Sequence, residues 1–343
     1  RPVDSGATVA DRRRIRLRPH LVMTANATDA PRTGVVGHRV GVRRPPRTLV
    51  AAAVVTAALF ALPGGYVVWR VMGGSASPLA LLASRGTLEP LWRTIQLAAL
   101  VSASTAVLGT GLAWLTTRTD IPMRRLWRIV VPLPLVYPSF VGAAAFISGL
   151  APGGIVHDLI GYLGVDLTTR LHGLTGSWLV LTLFTYPYVY LPVAARLTAL
   201  PGAFEENARL LGDGPRRVFA RVVLPQIWSS IAAGSLLVFL YTVSDFGAVH
   251  LMRFETLTQT IFRTRLFDRD RSFTLALLLL VLALLVVAAE RTVSRSGRRR
   301  GAGLDTVGDR RSLTVPLGRW AAPALAATTS VVGLALVAPA VSL

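Results

Sequence analysis

The feature that most restricts this chain is the run "FTLALLLLVLALLVVAA", Phe273 to Ala289, which carries no charge. A helix crossing the hydrocarbon core of a bilayer needs about 20 mostly apolar residues. Comparable blocks fall at 48–72, 93–116, 128–150, 174–198, 228–252 and 272–289, and a seventh begins near Trp320 and runs to Leu343. Several hold prolines, as in "VVPLPLVYPSF" and "FTYPYVYLPVAA". In water these would argue against helix, whereas in a bundle neighbouring helices can satisfy the freed carbonyls. The predicted fold class is all-α: a polytopic membrane helix bundle with six complete spans and a truncated seventh.

The formal net charge of +20 would suggest nucleic-acid binding in a soluble domain, but mean hydropathy is +0.54 and the apolar residues lie in blocks. The basic residues are read as membrane anchors, and a nucleic-acid partner is excluded. There is no cysteine, so disulfides and thiolate metal sites are excluded. Without lysine no Gly-x-x-x-x-Gly-Lys phosphate loop can form, so the chain carries no ATPase site of its own.

Arginine placement predicts orientation. "DRRRIRLR" and "VRRPPR" precede the first span, Arg118, Arg124, Arg125 and Arg128 follow the second, and Arg209, Arg216, Arg217 and Arg221 follow the fourth. After the sixth come "RTVSRSGRRRG", Arg310, Arg311 and Arg319. These alternate connections share one side, which the positive-inside rule makes cytoplasmic, together with the N-terminus. The organisation read from this is a basic tail over 1–47, a transmembrane domain over 48–292, a basic linker over 293–318 and a further membrane segment over 319–343. Residues 1–22 precede the first methionine, Met23, and read as upstream translation or a basic tail. The loop "RFETLTQTIFRTRLFDRDR" disobeys the rule, with five arginines on the outer side offset in part by Glu255, Asp268 and Asp270.

The connection "FEENARLLGDGPRRVFARVVLPQI" is unusually long and polar for a link between packed helices. Phe204, Ala208 and Leu211 fall on one helical face, with Glu205 and Arg209 as an i,i+4 pair beside it. Gly212 is read as the stop and Pro215 as the start of a second short helix, on which Val218, Phe219, Val222 and Val223 oppose Arg216, Arg217 and Arg221. Leu224 and Pro225 close the unit. Two short amphipathic helices at a cytoplasmic bend, over 201–227, make a docking surface.

This connection resembles the Glu-Ala-Ala loop in the permease subunits of bacterial ABC importers. The matching residues are Glu206, Asn207, Ala208, Gly212, Val222, Leu224 and Pro225, with Asn207 in place of the first alanine and Val222 in place of an isoleucine. The likeness covers roughly 85–292. It implies a coupling helix that sits in a groove of a cytoplasmic ATPase dimer, with Phe204, Leu211 and Phe219 as apolar contacts and Glu206 paired to a basic group. ATP and Mg would bind the partner ATPase, and this chain would bind no cofactor itself. An extracytoplasmic binding protein and a second permease repeat, or a second permease subunit, complete the assembly. "LPLVYPSFVGAAAFISGL" and "YTVSDFGAVHLMRFETLTQTIF" resemble the ferric-iron permeases, which fuse two repeats. The linker and seventh segment then read as the start of a second repeat. Thiamine, polyamine and phosphonate permeases share much of this pattern.

Asp245, the only acid in span five, and Tyr137 and Ser139 in span three are candidates for a substrate path. Tyr186, Tyr188 and Tyr190 read as packing or interface residues. His157 and His172 are two histidines in a predicted external loop and are read as no metal site. Arg263, Arg265, Arg269 and Arg271 are candidates for docking the binding protein. An ion-coupled secondary transporter is the rival class, and it would need midplane carboxylates, for which Asp245 alone is available.

Overall fold

The structure, a computed structural model, describes residues 46–74, 84–150, 172–301 and 314–342. Most of the basic tail, His157 and the linker residues 302–313 lie outside the described residues. The chain divides into two compact units, Arg1–Val54 and Val55–Leu343.

The apolar runs form helices in the order read from the sequence, with different limits. α1 is Arg47–Met72, α2 is Arg85–Arg118, α3 is Arg124–Val130, α4 is Ser139–Leu150, α5 is Gly173–Thr185 and α6 is Pro187–Ala199. After them come α7, Ala203–Leu210, and α8, which runs continuously over Pro215–Ser244. The last four are α9 (Gly247–Leu251), α10 (Leu257–Thr264), α11 (Arg269–Gly301) and α12 (Ala321–Ser342). Among the described residues, five helical stretches are long and apolar enough to cross a membrane, or six if the bent pair in the third block counts as one.

That third block is not a straight span. Pro132, Pro134 and Pro138 break it into α3, a 3-10 turn at Leu133–Val136 and α4, with a bend of 95°. Three prolines within seven positions remove too many N–H donors for one helix to survive. The neighbouring helix then meets the freed carbonyls: Tyr186 Oη donates to the Val131 carbonyl at 2.6 Å. The fifth block also stops early, at Ser244, and α9 follows as a separate turn.

α2, α6 and α8 pack together around Leu97, Val101, Val189, Tyr190, Leu197, Ile227 and Val238, all buried. Two glycines set the approach. A Cβ on Gly109 would lie 2.9 Å from the Tyr186 carbonyl oxygen, and one on Gly234 only 2.8 Å from the Val189 Cα. Backbone meets backbone at both crossings, the contact that small residues permit between membrane helices. α12 packs against α4 and α5.

Candidate functional site

The polar connection folds as a hairpin beside one end of the bundle. α7 ends in a Schellman closure: the Asp213 N–H donates to the Ala208 carbonyl at 3.1 Å and the Gly212 N–H to the Arg209 carbonyl at 3.0 Å. Gly212 sits at φ 90°, in the left-handed region where a side chain is costly. Gly214 then leads into Pro215 at the first turn of α8.

The second arm differs from its sequence reading. Leu224 and Pro225 do not close a separate helix, because the arm continues through a π turn at Phe219–Val223 into the membrane stretch of α8. Pro225 offers no N–H to the preceding turn, and the Leu224 N–H reaches back five residues to the Phe219 carbonyl. Any force on this arm therefore acts directly on a bundle helix.

The faces of the hairpin also differ from the predicted ones. Glu205 does not pair with Arg209 at the surface. It is buried, and its Oε1 lies 3.1 Å from Nη1 of Arg118, at the end of α2. Ala208 is buried on the same inward side, with Val218 and Val223. Leu211 lies beyond the helix end, so it leaves the face of Ala208 and is 86% exposed. Leu210, which the sequence reading passed over, is 85% exposed beside it. Phe204, Glu206 and Asn207 are exposed as well. Phe219 is turned to the bundle, edge-on to Trp114 with ring centres 5.9 Å apart. Val222 and Leu224 are half-buried and Pro225 is exposed. The outward surface is thus Phe204, Glu206, Asn207, Leu210 and Leu211: apolar tips around one carboxylate.

Asp245 and Ser139 meet inside the bundle. Ser139 Oγ donates to Asp245 Oδ1 at 2.5 Å, and Oδ2 accepts the N–H groups of Ala248 and Val249 at 3.0 and 3.3 Å. Asp245 is buried and caps α9 while tying it to the start of α4. Tyr137 is half-buried against the same core. Asp245→Asn, which keeps one acceptor oxygen for the Ala248 and Val249 N–H groups and turns an NH2 donor to the Ser139 hydroxyl, should retain most folding stability. Asp245→Ala should cost about 1 kcal/mol or more as a lost cap. Thermal melts of the purified variants check this, and equal melting of the two would contradict the capping role.

The contrary arginine loop has internal partners. Glu255 accepts from Arg263 at 2.6 Å and from Arg93 at 3.3 Å, and Arg93 also pairs with Glu89. Arg271 donates to the Gly86 carbonyl at 2.9 Å, and the Arg265 guanidinium lies 4.3 Å from the Phe262 ring centre. Arg269 is exposed. Local pairing spends part of the charge that topology disfavours.

Five or six membrane-length apolar stretches, one of them proline-broken, together with a glycine-closed hairpin define a polytopic membrane helix bundle. The family described as binding-protein-dependent transport system inner membrane component matches residues 105–298, and this chain belongs to it. It is 28% identical over 251 residues to the Fe(3+)-transport system permease protein FbpB 2 of Haemophilus influenzae, covering 72% of this chain and 46% of that protein. It is 34% identical over 169 residues to the inner membrane ABC transporter permease protein YdcU of Escherichia coli, covering 45% and 54%. It is 28% identical over 250 residues to the molybdenum transport system permease protein ModB of Mycobacterium tuberculosis, covering 67% and 91%. The chain thus spans about half the length of the first two relatives. In fold it is similar to a bacterial ABC transporter involved in the import of the acidic polysaccharide alginate, with a TM-score of 0.50, 14% identity and coverage of 73% and 95%.

Proposed function

We propose that this chain is the permease subunit of an ATP-driven importer, forming its substrate path and coupling it to a cytoplasmic ATPase dimer through the 201–227 hairpin. The observation that carries this reading is the division of the hairpin's two faces. One face presents Leu210, Leu211 and Phe204 around Glu206, while the other is pinned to the bundle and continuous with α8. Exposed leucines on a polar bend lower their free energy by entering a groove of another protein. The arginines that follow α2, those of the hairpin and Arg319 would then face the cytoplasm, as would the N-terminus. ATP and Mg would bind to the ATPase, and this chain would act as a transport subunit without catalysis of its own.

Ferric iron is the substrate we favour, on the likeness to a relative named for Fe(3+) transport. Relatives named for molybdenum and sulfate transport make those oxyanions the comparison arms. A second repeat beginning near 319 would supply the other half of the path, in keeping with the helix Ala321–Ser342 seated on α4 and α5. Co-purification of the full chain with its ATPase, followed by ATP turnover in liposomes with each substrate-loaded binding protein, tests the reading. ATP turnover stimulated by the ferric arm supports it, stimulation by an oxyanion arm alone redirects the substrate, and no ATPase association overturns the coupling role.

A binding protein would dock at the opposite end, where Arg263, Arg265, Arg269 and Arg271 lie. Rim charges act mainly on encounter rate. Neutralising Arg265 and Arg269 together should slow association of the binding protein and flatten its salt dependence. An association rate with unaltered salt dependence would remove these arginines from the interface.

A further inference from the structure

Arg118 is the last residue of α2, and it is 1% exposed. A guanidinium at that depth persists only with partners around it. Its Nη2 donates to the Leu197 carbonyl at 2.7 Å and to the Leu200 carbonyl at 3.1 Å, both at the C-terminal end of α6. Pro201 follows four positions after Leu197 and has no N–H to offer that carbonyl. The positive group also suits the negative end of the α6 dipole. Its Nη1 meets Glu205 of the hairpin, whose side chain is 7% exposed.

The backbone around Arg118 holds a third segment. The Arg118 carbonyl accepts the Val315 N–H at 2.8 Å, Thr119 and Val315 form an isolated parallel bridge, and Asp120 Oδ1 accepts the Leu317 N–H at 2.8 Å. Residues 118–120 therefore join the ends of two bundle helices, the hairpin and the segment that leads into α12. No other ion pair among the described residues links the hairpin to the bundle.

We infer that Arg118 is a positioning residue for coupling: its buried pair with Glu205 makes the hairpin a rigid extension of α2 and α6, so that displacement of the hairpin moves these helices and the 315–317 segment together. This rests on the reading of the hairpin as the ATPase contact. Without the pair the hairpin would still bind the ATPase and keep the apolar contact of Phe219 on Trp114 of α2, but it would lose its polar tie to the ends of α2 and α6 and swing against them. Coupling and assembly are thereby separable, because the docking face of Leu210 and Leu211 points away from the pair.

The test uses the full chain with its ATPase and binding protein in liposomes, reading uptake per ATP hydrolysed beside co-purification. The double variant R118M/E205L replaces the pair with apolar side chains of similar length, an exchange that folds often tolerate. It should hold the ATPase and hydrolyse ATP, while uptake per ATP falls by about tenfold, the scale of a typical coupling free energy. The milder E205Q, which keeps an acceptor for Arg118, should lower the same ratio by a smaller factor and stands as the test if the double variant does not fold. A wild-type ratio in whichever variant assembles overturns the inference, since a merely structural pair changes the amount of complex and leaves its ratio alone. Failure of the wild-type chain itself to hold the ATPase overturns the functional reading and the inference with it.

Discussion

Gly212→Val is expected to abolish coupled transport while the protein still inserts and accumulates in the membrane. The residue stands at φ 90°, and a Cβ there would meet nothing within 4 Å. Space is therefore not the obstacle; backbone conformation is. The left-handed region costs an ordinary residue about 1–2 kcal/mol, and a β-branched side chain suffers more. The cheapest escape is to leave that conformation, which breaks the two closing hydrogen bonds from Asp213 and Gly212 and re-aims α7 against α8. Leu210, Leu211 and Glu206 then no longer present one surface. Uptake assays beside a membrane-fraction blot check this, and normal uptake by the variant would make the hairpin an ordinary connector. Gly212→Ala, with a smaller penalty, should fall between the two.

The second large effect belongs to Leu210 and Leu211. Both are almost fully exposed, so the double variant L210D/L211D should leave the fold within about 0.5 kcal/mol of wild type, as for ordinary surface changes. Its effect lies in the complex. Burying two leucines in a groove contributes roughly 3 kcal/mol or more, and losing that weakens binding by about a hundredfold or more. Placing two carboxylates there adds desolvation cost. ATPase capture by the purified variant should be lost with the thermal midpoint retained. Glu206→Ala on the same face should be far milder, on the order of 1 kcal/mol for a partly exposed charged contact. Capture that weakens more with Glu206→Ala than with the leucine pair would invert the proposed energetics.

How much of this was legible in the sequence depended on whether local pattern or distant contact decided the outcome. The membrane stretches were readable because length and apolar character alone define them; α1 and the sixth block begin within a few residues of their predicted starts. The glycine stop at 212 was readable too, since only one residue type fits its φ cheaply. The third block was readable as an apolar stretch but its 95° bend was not, because hydropathy counts apolar side chains and is blind to missing N–H donors. The inward turn of Glu205 could not be read from an eight-residue helix, where two adjacent glutamates leave the helical phase undetermined. What fixes it is Arg118, 87 positions away in sequence, which looked like one more basic anchor at a span end. Asp245 shows a similar limit: hydropathy marks an acid in an apolar block, whereas its capping bonds to the Ala248 and Val249 N–H groups are visible only in the fold and do not bear on the predicted path. Leu210 was passed over because periodicity assigned Leu211 to the face of Ala208, although the helix ends before Leu211.

The most direct test of the central claim is site-specific cross-linking from the hairpin. The chain contains no cysteine, so Asn207→Cys supplies a single thiol on the exposed side of α7. With the full chain, its ATPase and a short bifunctional reagent, the account predicts a cross-link to the ATPase whose yield changes between nucleotide-free and ATP-bound states, as differential binding of two states requires. A control thiol in place of Arg265, at the opposite end of the bundle, should give none. Equal and nucleotide-independent yields from both positions, or no ATPase adduct from position 207, would contradict the account.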